Sequence, residues 1–211
     1  MLNQGLLVTF EGGDGAGKST LIEGLYRLLE ARGEDVLRTR APGGTAVGEK
    51  IRSLLLQADK QLDDRCELFL FLADRAQHMQ EIIFPALEAG KIVLCDRFHD
   101  STIAYQGVAR GLDADLVSSF CLFASQEKKP DLTFYLDISP RIGLERTLKK
   151  NGEKDRIESE SIAFHEGIRC AFLTIAEKEP KRVRVLDATL SQEELLQQSI
   201  RQLDDIFFSH R

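Results

Sequence analysis

The sequence predicts an α/β fold, a five-stranded parallel sheet with helices packed on both faces. Three observations carry that expectation. Short apolar runs alternate along the chain with longer stretches of helical period. A Gly-rich turn, Gly12 to Ser19, joins the first apolar run to the first helical stripe. The third and fourth runs end in Asp, at the strand ends where parallel sheets place ligand-binding groups. At 211 residues the chain has the size of one domain with a full core, so 1–211 is expected to fold as a single unit.

The elements follow in order. Leu6 to Phe10 is the first strand, and Leu21, Leu25, Leu28 and Leu29 return at helical spacing behind it. Asp35 to Arg40 is the second strand, and Val47, Ile51, Leu54 and Leu55 mark the next helix. Asp64 to Glu88 reads as helix, kinked or broken late by Pro85, whose ring removes a donor and crowds the preceding turn. Ile92 to Asp96, Leu132 to Asp137 and Arg182 to Asp187 complete the sheet. The last helix opens on Ser191 and Glu194 at capping-box spacing, with Leu195, Leu203, Ile206 and Phe207 among its apolar positions. Between the fourth and fifth strands, Arg146 to Arg156 carries five basic and two acidic residues around an Asn151-Gly152 turn signal. It reads as a mobile basic loop between two helices, a lid near 146–158.

Composition narrows the function classes. With 28 basic against 34 acidic residues, the net charge of −6 argues against a protein held electrostatically to nucleic acid or to anionic lipid. A phosphate ligand must then be met by local charge. No apolar run approaches the roughly 18 residues of a membrane span, and Met1 to Phe10 lacks the basic start of a signal peptide. Cys66, Cys95, Cys121 and Cys170 form no C-x-x-C pair and read as core thiols. A reducing, cytoplasmic setting is expected.

The chemistry begins at Gly12-Gly13-Asp14-Gly15-Ala16-Gly17-Lys18-Ser19, which fits G-x-x-x-x-G-K-[ST] between a strand and a helix, the context of a P-loop NTPase fold. Glycines let consecutive N–H groups turn toward phosphate oxygens, and the helix N-terminus adds its positive end. Lys18 supplies a point charge for the β and γ phosphates; Ser19, followed by Thr20, offers a hydroxyl to Mg²⁺. Asp96 closes an apolar strand, as the carboxylate that assists the same ion does, and Glu11 is a further candidate beside the loop. A nucleoside triphosphate binder of this kind is a small-molecule kinase, a GTPase switch or a mechanical ATPase. The absence of N-K-x-D weakens the switch, and the modest size weakens the motor.

The ordered series Gly12 to Ser19, Thr39-Arg40-Ala41-Pro42-Gly43-Gly44-Thr45, Asp96-Arg97-Phe98, Ser101, Ala104-Tyr105-Gln106 and Asp155-Arg156-Ile157-Glu158 resembles thymidylate kinase over nearly the whole chain. The resemblance implies transfer of a phosphoryl group from MgATP to dTMP, with Mg²⁺ as cofactor, ATP and dTMP as partners, and pairing as a homodimer. It places Arg52 and Arg97 on the acceptor phosphate, Phe71 and Arg75 on the thymine, Asp14 on the sugar 3′-OH, Tyr105 against a ribose 2′-OH, and Ala188 and Thr189 beside the donor adenine. Ser101 belongs to the same acceptor-binding set. The residues agree: guanidinium forks suit a phosphate dianion, Phe71 and Arg75 share a helix face four apart, and the Gln106 amide can pair with a base edge.

An ionised acceptor needs no strong base, so His78, His99, His165 and His210 are expected to be structural or on the surface. Catalysis should rest on alignment and on cations around the transferred group. Lys18 and Arg97 are two of them. Relatives that carry an arginine inside the P-loop differ from this chain, which has Gly15 there; such chains send the catalytic arginine from the lid. Arg146 or Arg156 is the expected one, Arg156 the better match to the family's Asp-Arg-x-Glu element, with Lys149, Lys150 or Lys154 assisting. The family often has Glu where this chain has Ala41. Two alternatives stand beside this reading: another nucleoside monophosphate or deoxynucleoside kinase, and a P-loop module that binds nucleotide without turnover.

Overall fold

The first strand, β1 (Leu6–Glu11), is buried along its whole length at the centre of the sheet. The computed structural model describes residues 5–57, 62–151 and 155–208, apart from the side chains at 150, 151 and 208. After β1 come α1 (Lys18–Ala31), β2 (Val36–Arg40), α2 (Ala46–Leu56), α3 (Asp64–His78), α4 (Phe84–Glu88), β3 (Ile92–Asp96) and α5 (His99–Thr102). The remainder is α6 (Ala114–Ala124), β4 (Leu132–Asp137), α7 (Pro140–Asn151), α8 (Ile162–Lys178), β5 (Val183–Asp187) and α9 (Gln192–Leu203). The strand order is β2-β3-β1-β4-β5, all parallel, as the sequence predicts.

Alternation along the strands loads both faces. Val8 and Phe10 join Leu94 and Phe134 against Leu21, Leu25 and Leu29 of α1 and Leu195 and Leu203 of α9. Leu7, Val93 and Cys95 face the other way, against Met79 and Ile83. Each such side chain contributes roughly 1.5–3 kcal/mol by leaving water. The chain leaves β1 toward β2 on one side and leaves β3 toward β4 on the other, so the carboxyl ends of β1 and β3 flank a topological switch point. Phe10 pairs with Asp96 there, and Arg97 N donates to Phe10 O at 3.0 Å.

Several expectations need correction. The Asp64 to Glu88 segment stays helical, passing through a π-helical turn, Met79–Ile83, and Pro85 sits in the first turn of α4, where a missing N–H is best tolerated. Arg182 lies before β5 and turns its guanidinium onto Asp100, at 2.7 and 2.9 Å. Cys66 and Cys170 are exposed, the former in the first turn of α3 and the latter on α8, so only Cys95 and Cys121 are core thiols. The basic segment is not a loop from its start: α7 carries it as helix to Asn151, supported by Lys149 donating to Glu145 one turn earlier at 2.7 Å. Lys149 is therefore an exposed helix side chain, while the Lys150 side chain, Gly152, Lys154 and His210 lie outside the described residues. His78, His99 and His165 are buried.

Candidate active site

The phosphate cradle forms where β1 gives way to α1. Gly17 precedes the helix at φ 97°, and the loop turns back so that Lys18 Nζ donates to Gly12 O and Gly13 O, both at 3.0 Å. Burial and then the neighbouring Arg97 depress the Lys18 pKa, while Asp96 and Asp14 work to keep it charged. Ser19 Oγ stands 3.3 Å from Asp96 Oδ2, donating to it. That hydroxyl and carboxylate form an all-oxygen donor pair of the kind a hard divalent cation takes when phosphates and waters complete its shell. Among the described residues no three His, Cys, Asp or Glu gather as a metal site. Glu11 has other work: it is fully buried, accepts from Phe98 N at 2.7 Å and from Ser101 Oγ at 2.5 Å, and burial with nearby Asp100 raises its pKa to about 7. It fastens the β3 loop to the P-loop.

Arg97 is the hinge between two clefts. At φ 69° its backbone is left-handed, which swings the guanidinium across the P-loop. Nη1 donates to Gly12 O at 3.0 Å and to Ser101 Oγ at 3.2 Å, and Nη2 to Asp14 Oδ1 at 2.7 Å. Burial opposes the charge on Asp14, but Arg97 and Lys18 outweigh it and hold the carboxyl below its usual range. This answers how an acid can sit in a phosphate loop.

One cleft, about 580 Å³, runs over the P-loop from Asp14 to Thr20 and on to Arg146, Ala188, Ser191 and Gln192. The second, about 90 Å³, is lined by Phe71, Arg75, Ser101, Tyr105 and Gln106. Asp14, Ala41, Arg52 and Arg97 line both. Arg52 reaches the junction from α2, whose first turn Thr45 caps by accepting from Gly48 N at 2.9 Å, and donates to Pro42 O at 3.0 Å. Where the resemblance expects a glutamate, Ala41 is buried; Glu49 supplies a carboxylate nearby, accepting from Arg40 at 2.7 Å with Arg52 also lowering its pKa.

In the smaller cleft Phe71 is half-buried and Arg75 buried on one face of α3. The Arg75 guanidinium lies 4.2 Å over the Phe98 ring, and its Nη1 has no hydrogen-bond partner among the described residues. Tyr105 Oη is likewise buried without one. Gln106 Nε2 donates to Glu67 Oε1 at 2.8 Å. Glu67 was not anticipated, although it stands four and eight residues before Phe71 and Arg75, a spacing that puts a carboxylate on the pocket face of the helix.

The two candidate lid arginines part company. Gly143, in the first half of α7, packs on the P-loop so closely that a Cβ there would lie 2.3 Å from Asp14 O. Arg146 and Thr147, three and four residues on, share that face and line the larger cleft, with Arg146 Nη1 donating to Ala188 O at 3.1 Å. Arg156 is turned away: its Nη2 is paired with Glu67 Oε2 and its Nε donates to Leu55 O at 2.9 Å. It lines neither cleft. Its Asp-Arg-x-Glu element is a self-capped turn in which Asp155 Oδ1 accepts from Glu158 N at 2.8 Å and Asp155 N donates to Glu158 Oε2 at 3.1 Å. Ala188 is buried on the larger cleft, but Thr189 turns its hydroxyl to Asp187 at 2.6 Å and does not line it. Leu190, Ser191 and Gln192 do, and the sequence reading missed them as cleft residues.

Comparison with known proteins follows the same lines. The family model described as thymidylate kinase matches residues 10–200. The thymidylate kinase of Protochlamydia amoebophila is 50% identical over 210 residues, covering 96% of this chain and 93% of that one. That of Gloeobacter violaceus is 46% identical, covering 97% and 96%. A crystal structure of thymidylate kinase from Ehrlichia chaffeensis superposes with a TM-score of 0.77 at 34% identity, covering 95% and 98% of the two chains.

Proposed function

The chain belongs to the thymidylate kinase family and phosphorylates dTMP in the synthesis of dTTP, and we propose that it does so by direct transfer from Mg²⁺-bound ATP across the junction of its two clefts. The observation that carries this reading is the shared wall: Asp14, Arg52 and Arg97 border both the P-loop cleft and the smaller pocket. Two anionic substrates placed on either side would meet at two guanidiniums and Lys18.

The bond from the γ-phosphorus to the β,γ-bridging oxygen breaks as an oxygen of the dTMP phosphate bonds to that phosphorus. The acceptor is already ionised, so no proton has to be removed. Lys18 and the P-loop N–H groups stabilise the donor phosphates, and Arg97 and Arg52 hold the acceptor and the charge on the transferred oxygens. Ser19 and Asp96 would hold Mg²⁺, which supplies further charge neutralisation when bound. Asp14, kept ionised by Arg97, accepts from the sugar 3′-OH; Phe71 stacks on the base, Arg75 Nη1 donates to its O4, and Tyr105 crowds a 2′-OH. Ala188 and its neighbours line the adenine end. Residues 146–158 act as a lid, and Arg146, already on the donor cleft, is the better placed of its two arginines to reach the transferred group. Excluding water there prevents idle ATP hydrolysis.

A homodimer is part of the proposal, supported by the exposed Phe69, Leu116 and Phe123 on α3 and α6, Phe123 at 83% exposure; sedimentation at micromolar concentration checks it. So is a cytoplasmic setting, supported by the free cysteines, while no described helix is long and apolar enough to cross a membrane. The enzymatic test is ADP release with MgATP and a panel of dTMP, dUMP, dCMP, dGMP and AMP, with Lys18→Ala as a blank. Turnover strongest with dTMP and lost in the variant supports the reading. Preference for another acceptor would remove the base pocket, and ATP binding without ADP from any acceptor would leave a non-catalytic module.

A further inference from the structure

Behind the acceptor pocket lies a carboxylate that the sequence reading passed over. Glu67, on α3, is 1% exposed. Its Oε1 accepts from Gln106 Nε2 at 2.8 Å and Arg110 Nε at 3.3 Å; its Oε2 accepts from Arg110 Nη2 at 3.3 Å and from Arg156 Nη2. Burial raises its pKa, but the bonds from Gln106, Arg156 and Arg110 outweigh burial and hold it below the usual carboxylate range. An ionised carboxylate can only accept. Gln106 must therefore present its NH₂ to Glu67, which leaves the amide oxygen pointing away from it, and among the described residues no hydrogen bond engages that oxygen.

We propose that Glu67 is a positioning residue for base recognition: by holding Gln106 Nε2 it fixes the amide with Oε1 toward the pyrimidine edge, selecting bases that carry N3–H beside a 4-oxo group. The inference rests on the reading of this pocket as the acceptor-base site. Arg75 Nη1 is the donor of the pair and Gln106 Oε1 the acceptor. Thymine and uracil match both. Cytosine, with a bare N3 beside a 4-amino group, mismatches both and leaves buried polar groups unpaired, the circumstance in which hydrogen-bonding sites discriminate most strongly. Without the anchoring carboxylate the amide would turn over at little cost and offer its NH₂ to cytosine N3. Specificity then belongs to a residue that never touches the base.

The test is kcat/KM for dTMP and for dCMP in wild type, Glu67→Gln, Arg110→Met and Gln106→Met. Glutamine at 67 has the same shape but can donate as well as accept. The dTMP-to-dCMP ratio in Glu67→Gln should fall about tenfold or more, through KM rather than kcat. Arg110→Met loosens the same carboxylate without touching the amide and should leave the ratio within about twofold; on the Gln106→Met background, Glu67→Gln should change it no further. A ratio that falls in Gln106→Met but survives in Glu67→Gln overturns the positioning role and leaves the pocket reading intact, as does an equal fall in Arg110→Met. A ratio untouched by Gln106→Met removes the pocket reading and the proposal with it. Should Glu67→Gln not fold, Glu67→Asp keeps the negative charge but shortens its reach toward Gln106 by one methylene; a fall that Arg110→Met does not reproduce supports the proposal and an unchanged ratio overturns it.

Discussion

Gly15 and Gly143 meet backbone to backbone: a Cβ on Gly15 would stand 2.0 Å from the Gly143 carbonyl oxygen. The phosphate loop and α7 are thereby pressed together with no room for a side chain between them. This gives a physical reason why no arginine can stand at position 15 in this chain and why α7 begins against the P-loop.

Gly15→Ala should accordingly separate the two. The left-handed backbone at φ 72° adds strain of roughly 1–2 kcal/mol to the collision. The expected result is a melting temperature lowered by several degrees and turnover reduced more than affinity for dTMP. Unchanged melting and turnover would mean that α7 stands off the P-loop in solution.

Arg146 and Arg156 should give different phenotypes. Arg146→Ala removes a cation from the larger cleft and should lower kcat about 100-fold, with little change in melting, since among the described residues its side chain is held only to the Ala188 carbonyl. Arg156→Ala takes a partner from a buried carboxylate and should destabilise by about 3 kcal/mol. Thermal melts and steady-state kinetics on both variants decide it, and wild-type turnover in both would end the proposal that the lid supplies a catalytic arginine.

The Ser19 and Asp96 pair predicts a metal phenotype. Ser19→Ala and Asp96→Asn should each raise the Mg²⁺ concentration needed for half-maximal ADP release by about tenfold or more, and chelation should abolish wild-type activity. If both variants titrate with Mg²⁺ as wild type does, the ion is held elsewhere.

Stability should fall on mild acidification. His78 is buried with Nε2 against Thr39 Oγ1 at 2.6 Å, and burial, then Arg75, lowers its pKa from 6.5 to about 4. Between those values the unfolded chain binds a proton that the folded one refuses, so the contribution is present above pH 6.5 and is lost as pH falls toward 4. A shift of that size corresponds to about 3 kcal/mol. His99, lowered by burial and then Arg75 to about 2, acts in the same direction; Glu11, raised to about 7, acts oppositely between its unfolded value and neutrality. Melting temperatures from pH 8 to 4 should drop in wild type and drop less steeply in His78→Gln; parallel curves would refute the assignment.

The strands were readable because their apolar runs are short and end in polar turns, and the P-loop because string and flanks agree. The basic segment was misread at its start. Charge and an Asn-Gly pair suggested a loop, but Gly143 docking on Asp14 O and the Lys149 to Glu145 pair carry the helix through Arg146. The motif favours Arg156 over Arg146 for the transferred group because a motif says which residue is present and not where its guanidinium points; in the structure Glu67, distant in sequence, pairs with Arg156.

By itself the sequence determined the sheet and the glycine-rich strand-to-helix turn, since each follows from local period or local turn chemistry. Only the tertiary structure decided which arginine faces the donor cleft, which way the Gln106 amide is turned, and that one buried carboxylate joins Gln106, Arg110 and Arg156. The reason is physical: a buried charge takes its partners from wherever packing brings donors, across 39, 43 and 89 residues of chain in this case, and no local pattern records that meeting.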